Sequence, residues 1–490
     1  MSIHINNNKN FNLIYIYILI GFVLHLISAY YSIGFYSDDE HFQILEPAAY
    51  LLGLNEIIID DPSGNYWEWE HEVRMRPWLQ PYIYYKIINF LKFFGINDPF
   101  SWTFFLRLIS SLFGYLSIIY LFITVKDDFF KKNNHFNYLL FFTFWFFPFL
   151  HSRTSSENLS ITIFIIAFCL VYSFIKSKKA QINNYIIFIS SFLMGLAMVF
   201  KFNAIFTVFP FFLWFLFYRF NFLRLSLMGL SVILALLLGL FVDYFNWGTN
   251  QFYNTYYQFY KHNIVTGTFD TFGVQPWWYY ITSTILELAP LLSVFFIISI
   301  IIFWIKNPKN IFSWITFFTL ISFSSFGHKE TRYIFSIYFF APLFISYFFE
   351  TYSRIKFQNT LKIIIILSNI IFLSLTLFTP AKNKVGVYYY LYNNFSNQDK
   401  VFYIENNPYL INNMEPYLYT SFLPKIQQLK QNNTINSSSW IVTNIYDSYN
   451  DVISNENNCE LKYTTYPEKI MNLNNNWRRL KLNWYIIYCQ

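Results

Sequence analysis

Long apolar segments recur along this 490-residue chain, and they restrict its possible folds more than any other feature. A helix of about 20 apolar residues is long enough to cross the hydrocarbon core of a bilayer. Only 12% of the residues are charged, whereas soluble proteins carry about 25%. The sequence therefore predicts an α-helical polytopic membrane protein with about 11 transmembrane helices. The predicted spans lie near residues 11–30, 101–125, 137–151, 157–175, 184–200, 203–218, 225–242, 281–305, 311–327, 332–349 and 360–379.

The short loops between the spans predict the orientation of the chain. Lys and Arg are enriched in the cytoplasmic loops of membrane proteins. If the first span is an uncleaved helix with its N-terminus in the cytoplasm, every basic loop falls on the cytoplasmic side. This bias accounts for the net charge of +7 without nucleic acid as a partner. The basic loop residues are Lys126, Lys131, Lys132, Lys176, Lys178, Lys179, Arg219, Arg224, Lys306, Lys309, Arg354, Lys356 and Lys362.

The large loops then lie on the non-cytoplasmic side. We expect residues 1–380 to form a transmembrane catalytic domain, in which 31–100 is a large non-cytoplasmic catalytic loop. Residues 381–490 are richer in Asn, Ser and Tyr, and we expect them to form a soluble α/β domain on the same side. The compartment is the periplasm if the protein is bacterial, or the ER lumen if it is eukaryotic.

Local patterns predict some elements of these two regions. Helical spacing of apolar residues predicts a helix over 40–52 and an amphipathic, membrane-surface helix over 79–94. Short strands are predicted at 401–404, 440–443 and 484–488. A turn is predicted at 60–65 and a loop at 431–438.

The three cysteines predict little. Cys169 lies in an apolar span, so only Cys459 and Cys489 are candidates for a disulfide. Two cysteines do not make a disulfide framework, and we expect three unpaired thiols.

An acidic segment, Asp38-Asp39-Glu40, follows the first span in a chain with only 27 acidic residues. Carboxylates at a membrane surface are unfavourable unless they face water, a cation or a substrate. A general base that deprotonates a sugar hydroxyl needs such a position. Asp39 is our first candidate and Glu40 the second. Asp38 is the third, because it best fits the N-cap of a helix that starts near residue 40.

Four motifs, in order from Asp39 to Ile334, resemble the family-22 mannosyltransferases, which extend N-glycan precursors and GPI anchors from dolichyl-phosphate mannose. The motifs are Asp39-Glu40-His41-Phe42-Gln43 with Glu46-Pro47; Tyr66-Trp67-Glu68-Trp69-Glu70 with Arg74-Met75-Arg76-Pro77 and Pro81; Pro276-Trp277-Trp278-Tyr279-Tyr280; and His328-Lys329-Glu330-Thr331-Arg332-Tyr333-Ile334. The chain differs from the family pattern at Ser37-Asp38, at Pro77 and at Gln275. These differences concern the acceptor more than the type of reaction.

The resemblance implies a GT-C fold and inverting transfer of mannose from a polyprenyl-phosphate mannose to a glycan or glycolipid acceptor. The lipid-phosphate sugar is a substrate, and no cofactor is expected. No divalent metal is expected either, because no Asp-x-Asp stands where a nucleotide-sugar site would be built. Besides the catalytic candidates Asp39 and Glu40, the predicted substrate-binding residues are Asp38, Gln43, Glu68, Arg74, Arg76, Trp277, His328, Lys329, Glu330 and Arg332.

Each of these roles has a structural alternative. His328, Lys329 and Arg332 fit a lipid phosphate, but Lys and Arg at a helix end also snorkel to the interface. The two arginines of the second motif bind substrate or pair with Glu68, Glu70 and Glu72. The tryptophans of the second and third motifs, Trp67, Trp69, Trp277 and Trp278, stack on sugars or belong to an aromatic belt. Structural roles are expected for Arg153, paired with Glu157, and for Asp243, with lining of the active cleft as the alternative.

Two other functions remain open at this point. A transporter of lipid-linked glycans has ionisable residues near the middle of the membrane, often beside broken helices, whereas here the charges cluster at the predicted outer helix ends. A GT-C transferase for another lipid-phosphate sugar, such as glucose or arabinose, is the second alternative.

Overall fold

A computed structural model of the chain describes the residues 5–55, 66–70, 72–130, 135–176, 183–247, 254–287, 289–354, 356–395, 400–429, 439–455, 459–472, 474, 478, 480 and 483–489. The predicted turn at 60–65 and the predicted loop at 431–438 lie outside these residues.

Helices make up most of the described chain. The α-helices are α1 (Ile5–Tyr31), α2 (Asp38–Glu40), α3 (Glu46–Leu51), α4 (Leu79–Phe93), α5 (Pro99–Phe129), α6 (His135–Phe142), α7 (Phe146–His151), α8 (Ser156–Lys176), α9 (Asn184–Phe200), α10 (Ile205–Tyr218), α11 (Phe222–Asn246), α12 (Thr255–Tyr260), α13 (Thr268–Thr271), α14 (Tyr279–Glu287), α15 (Pro290–Lys306), α16 (Ile311–Ser324), α17 (Phe335–Tyr338), α18 (Ala341–Thr351), α19 (Gln358–Phe378), α20 (Asn383–Asn394), α21 (Tyr417–Thr420), α22 (Tyr446–Asn455) and α23 (Glu468–Met471). Two π-helical segments (His41–Leu45, Lys261–Val265) and three 3₁₀ segments (Trp67–Trp69, Phe202–Ala204, Thr331–Ile334) interrupt this series.

Several of these helices suit a membrane. Within the described residues, five helical segments are long and apolar enough to cross a bilayer, and a sixth if the pair Thr331–Tyr338 and Ala341–Thr351, bent by 49°, is one span. Shorter apolar helices are Asn184–Phe200, Phe202–Tyr218, Pro290–Lys306 and Ile311–Ser324. The prediction of several membrane-spanning helices is confirmed by their length and composition. The number of eleven spans stays a prediction.

Besides the bent pair, two further predicted spans are interrupted where the sequence predicted continuous helices. The span at 281–305 divides into α14 and α15, because Ala289 has a φ of 50° and Pro290 has no N–H for a continuing helix. The span at 137–151 divides into α6 and α7. There the Asn369 amide accepts from the Trp145 N–H at 3.0 Å and donates to the Thr143 carbonyl at 2.8 Å. The side chain of Asn369 thus replaces the missing helical hydrogen bonds, which hydrocarbon does not supply.

The chain divides into two compact units. The first unit contains Met1–Tyr31, Glu72–Gln80 and Leu106–Phe378; the second contains Ser32–His71, Pro81–Phe105 and Thr379–Gln490. Close packing of small residues is visible in the first unit, where a Cβ on Gly195 of α9 would come within 2.7 Å of the Ala235 Cβ of α11. The expected division of function between residues 1–380 and 381–490 stays a prediction.

Among the described residues, the second unit contains one five-stranded sheet in the order β2-β1-β3-β5-β4. Strand β1 pairs parallel with β2 and β3, and β5 pairs antiparallel with β3 and β4. The sequence predicted β1, β3 and β5 but missed the other two, whose residues are exposed or only half-buried. The strands are β1 (Lys400–Tyr403), β2 (Ile426–Gln428), β3 (Ser439–Thr443), β4 (Cys459–Thr464) and β5 (Tyr485–Cys489).

The expectation of three unpaired thiols was wrong. Cys459 and Cys489 form a disulfide, while Cys169 is a buried free thiol. The two paired cysteines are direct partners in the register of β4 and β5. Because β4 was not predicted from the sequence, the strand register that brings the two candidate cysteines together could not be anticipated.

Candidate active site

The acidic segment lies in the second unit, and its three carboxylates have different environments. The Glu40 side chain is buried, and its Oε2 accepts from the Tyr36 N–H at 2.8 Å. Asp38 accepts from the Lys382 ammonium at 2.6 Å and from the Asn412 amide. Asp39 is half-buried. The predicted capping role of Asp38 was wrong, because Ser37 is at the N-cap position and no side chain caps this helix.

The residues after the acidic segment anchor it to the second unit. His41–Leu45 form a π-helical turn, a feature frequent at functional sites. The fully buried Glu46 accepts from the Leu418 N–H and the Asn55 amide, each at 3.0 Å, and lies 2.7 Å from the His41 imidazole. Gln43 of the same motif is buried as well. These contacts therefore hold the C-terminal end of the acidic segment in place.

Two further carboxylates of the second unit, Glu68 and Glu415, are partly or largely shielded from water. Glu68 is half-buried in the 3₁₀ turn of the second motif. Burial raises the pKa of Glu415, and the nearby Glu46 carboxylate adds to this effect. Additional negative charge is therefore unfavourable in the interior of this unit.

The two arginines of the second motif pack on aromatic rings of the first unit. Arg74 is buried with a left-handed backbone (φ 42°), and its guanidinium lies 5.7 Å from the centre of the Trp247 ring. Arg76 lies 5.8 Å from the Phe259 ring. Stacking of this kind holds a guanidinium plane in a fixed orientation.

A charged network in the first unit connects three helix ends. The Lys201 ammonium lies 2.9 Å from Glu157 Oε1, and the Arg332 guanidinium lies 3.7 Å from the same oxygen. Arg332 also bonds the Glu330 carboxylate, whose other oxygen lies 3.1 Å from the His328 imidazole. The side chains of Glu157, Lys201 and Arg332 are between 8% and 12% exposed, so these charges are poorly hydrated.

Helix geometry explains why these residues meet. Glu157 lies in the first turn of α8, where the helix dipole favours a carboxylate. Lys201 is the C-cap of α9, and Arg332 lies in the 3₁₀ turn that precedes α17. Together with Ser160, Thr207 and Ser336 they line a cleft with a cavity volume of about 40 Å³, which we call the cation cleft.

Lys329 and His328 form hydrogen bonds that hold the chain next to the 3₁₀ turn at Thr331–Ile334. The Lys329 ammonium donates to the carbonyls of Gln275, Gly327 and Phe326, which occupies its three N–H donors. Burial lowers the pKa of this lysine. His328 Nδ1 lies 3.1 Å from the Gly273 carbonyl. This geometry favours a structural role for Lys329 over the predicted contact with a phosphate.

The predicted aromatic residues differ in exposure. Trp277 and Trp278 form an edge-to-face pair at 5.5 Å and are 67% and 48% exposed. Trp69 is buried, which leaves it no face for a sugar. Asp243, expected to be structural, accepts from the Trp78 N–H at 2.7 Å.

Sequence reasoning missed Lys201 as a partner of Glu157, while the expected pairing of Glu157 with Arg153 stays a prediction. Lys201 is the only charged residue between positions 184 and 218. It lies between two predicted spans, at their non-cytoplasmic ends in the predicted topology. An isolated lysine at such a position is the signal that could have identified it.

Comparisons with known proteins agree with these features. The profile of the Alg9-like mannosyltransferase family matches residues 15–415. The GPI mannosyltransferase 3 of Debaryomyces hansenii is 23% identical over 414 residues, which are 80% of this chain and 67% of that protein. The GPI mannosyltransferase 3 of Candida albicans is 26% identical over 356 residues, 71% of this chain and 66% of that protein. The matches thus span about two thirds of these relatives.

The fold is that of a GT-C glycosyltransferase. The crystal structure of ArnT from Cupriavidus metallidurans bound to undecaprenyl phosphate superimposes with a TM-score of 0.56 at 8% identity, covering 96% of this chain and 97% of that one. Its apo state gives a TM-score of 0.52 at 9% identity. At this identity the likeness concerns the fold alone.

The match to the family model covers most of the sequence and therefore excludes the alternative that the protein is a transporter. The chain belongs to the Alg9-like mannosyltransferase family and is therefore a membrane glycosyltransferase of glycan biosynthesis.

Proposed function

We propose that this enzyme transfers mannose, with inversion, from a polyprenyl-phosphate mannose to a glycan or glycolipid acceptor on the non-cytoplasmic face of the membrane. The observation that carries the proposal is the cation cleft. Its two cations, Lys201 and Arg332, are held by carboxylates at the ends of apolar helices.

The cation cleft suits the phosphate of a lipid-linked donor. When the sugar leaves, negative charge develops on the phosphate, and positioned cations stabilise it. Arg332 presents a planar fork that matches two phosphate oxygens, and Lys201 adds a point charge. In this proposal these two side chains, rather than a metal, offset the charge of the leaving group.

An apolar cavity near the cleft suits the hydrocarbon tail of the donor. It has a volume of about 110 Å³ and is lined mainly by Ile, Phe, Trp and Tyr side chains of α14, α15 and α17. The 3₁₀ turn and α17 contribute to both places, with Tyr333 and Ser336 at the cleft and Ile334 and Ile337 at the cavity. A headgroup in the cleft can therefore continue into an apolar environment.

Asp39 is our proposed general base. The reaction forms a bond from an acceptor oxygen to the anomeric carbon and breaks the bond from that carbon to the phosphate oxygen. The acceptor proton goes to Asp39, and the electron pair of the broken bond stays on the phosphate. Asp39 is half-buried, which leaves part of its side chain accessible to a substrate.

The disulfide supports a non-cytoplasmic location for residues 381–490, which we call the tail. Disulfides persist in oxidising compartments and are rare in the cytosol. The Cys459–Cys489 bridge thus agrees with the orientation that the basic loops predict. The name of the curated relatives, GPI mannosyltransferase 3, favours a glycolipid acceptor.

A transfer assay with purified enzyme tests the proposal. Polyprenyl-phosphate mannose, polyprenyl-phosphate glucose and GDP-mannose are offered separately with a panel of glycolipid acceptors. We expect transfer from the first donor alone and a product of inverted anomeric configuration. Transfer from the glucose donor at an equal rate would favour the other lipid-phosphate sugar, and transfer from GDP-mannose would contradict the cation-cleft mechanism.

A further inference from the structure

A large polar cavity in the second unit lies at the carboxyl ends of three parallel strands. Its volume is about 890 Å³, and it is open to solvent. Tyr403 and Gln428, the last residues of β1 and β2, line it, as does Asn444, which follows β3. We call it the amide cavity.

The sheet topology makes this edge a favoured ligand site. From β1 the chain moves to one side for β2 and then to the other side of β1 for β3. In open α/β sheets, ligands bind outside the carboxyl ends of the strands where the strand order reverses in this way. The amide cavity occupies that position.

The lining of the cavity suits an uncharged ligand that is rich in hydroxyl groups. Of the described residues that line it, seven carry side-chain amides: Asn383, Asn406, Asn407, Asn412, Asn413, Gln428 and Asn444. An amide both donates and accepts, as a sugar hydroxyl does. The rings of Tyr403 and Tyr466 add flat apolar surface.

The cations of the cavity already have partners within the protein. Lys382 pairs with Asp38 at 2.6 Å. Lys384 donates to the Leu410 carbonyl and lies 5.1 Å from the Trp484 ring. The carboxylate of Glu405 also lines the cavity, and seven amides outnumber the two cations, so the composition of the lining favours a neutral ligand over a phosphate.

The backbone around the cavity is strained. Glu405, Asn412 and Asn413 have φ angles of 61°, 50° and 65°, and all three line the cavity. Asn tolerates the left-handed region, but Glu does so rarely. Strained residues cluster at ligand sites, where the surrounding structure holds them in place.

The cavity adjoins the acidic segment. Lys382 and Asn412, two of its lining residues, are the partners of Asp38, and Asp39 is the next residue along the chain. We propose that the amide cavity binds the carbohydrate part of the acceptor, a neutral oligosaccharide, and presents it towards Asp39. This inference rests on the proposed function, because it assigns a substrate of that reaction.

Ligand-observed NMR on the full-length enzyme tests the inference. The probes are methyl α-mannoside, α1,2-mannobiose and chitobiose, and the detergent has no sugar headgroup that could occupy the site. The test variant combines Asn406→Ala with Gln428→Ala, two exposed residues of the cavity. The matched control combines Asn393→Ala with Asn394→Ala, two exposed amides on α20 that do not line it.

We expect the wild type to bind at least one probe, and the test variant to bind it about tenfold more weakly, since several hydrogen bonds are lost. The control should bind like the wild type. No binding of any probe by the wild type, or equal binding by the test variant, would overturn the inference. If the probes bind as expected but no mannose is transferred from polyprenyl-phosphate mannose, the proposed function fails while the carbohydrate site stands.

Discussion

Three consecutive carboxylates in the acidic segment are held in three different ways. Glu40 is buried against the Tyr36 N–H, and Asp38 is bound by Lys382 and Asn412. Asp39 is half-buried between them. The three side chains thus differ in environment although they share one type of functional group, and substitution is needed to assign their roles.

Substitution of each carboxylate separates these roles. Asp39→Asn removes the proton acceptor at constant size, so turnover should fall by about 10²–10⁴ with acceptor KM little changed. Glu40→Gln should mainly lower the amount of folded enzyme, because it weakens a buried contact. Asp38→Asn should be the mildest change. Near-wild-type turnover in Asp39→Asn together with an inactive but folded Glu40→Gln would move the base to Glu40.

Some of these residues could be predicted from the sequence and others could not. The acidic segment and the motif around Arg332 stand out because charges are rare in an apolar sequence. Glu157 and Lys201 come from other helices, and their meeting depends on packing that no local pattern contains. The amide donors of the cavity belong to an Asn-rich tail, in which sequence alone does not separate a lining residue from an ordinary surface residue.

At the scale of elements, the structure departs from the sequence-based prediction at breaks in helices and at exposed strands. The division at Ala289-Pro290 and the bend before α18 interrupt spans that composition predicted to be continuous. Strand β4 was missed because its residues are exposed or half-buried and lack an apolar run. Its absence from the prediction also hid the disulfide.

The disulfide gives a prediction at this scale. Alkylation of the denatured, non-reduced protein should modify one cysteine, Cys169, and reduction should expose three. The bridge spans 30 residues of sequence, so its removal should destabilise the sheet by about 3–4 kcal/mol through the greater entropy of the unfolded chain.

Limited proteolysis of the full-length protein measures this effect. The variant with Cys459→Ser and Cys489→Ser should be cleaved in the tail faster than the wild type, and Cys169→Ala serves as the control. Three reactive thiols without reduction, or equal cleavage rates, would show that the bridge does not form or does not stabilise the sheet.

At the scale of the whole molecule, the family and the class of fold follow from motifs and composition, whereas the number of spans and the domain division do not. A segment of about 20 apolar residues forms a membrane span only when one helix continues through the whole segment. Broken helices and short apolar helices blur that pattern. The orientation rests on the bias of basic loops and needs its own test.

Cysteine accessibility in intact membrane vesicles tests the orientation. Glu72→Cys in the large loop and Gln427→Cys in the tail are at exposed positions and should be labelled from the non-cytoplasmic side. Lys309→Cys, also exposed, should be labelled only after permeabilisation. Labelling of Lys309→Cys from the non-cytoplasmic side, or protection of either of the other two, would contradict the proposed topology.

The affinity of the enzyme for its lipid phosphate tests the central claim, that the cation cleft holds the donor, most directly. Polyprenyl phosphate is titrated as a competitor of the donor against wild type, Arg332→Gln and Arg332→Lys, with Arg354→Gln as an exposed control. A charged hydrogen bond to phosphate contributes about 1.5–3 kcal/mol, so Arg332→Gln should bind roughly ten- to hundredfold more weakly. Arg332→Lys should recover part of this loss, because a point charge replaces a bidentate fork. Equal affinity of all four folded proteins for polyprenyl phosphate would contradict the assignment of the cation cleft to the donor.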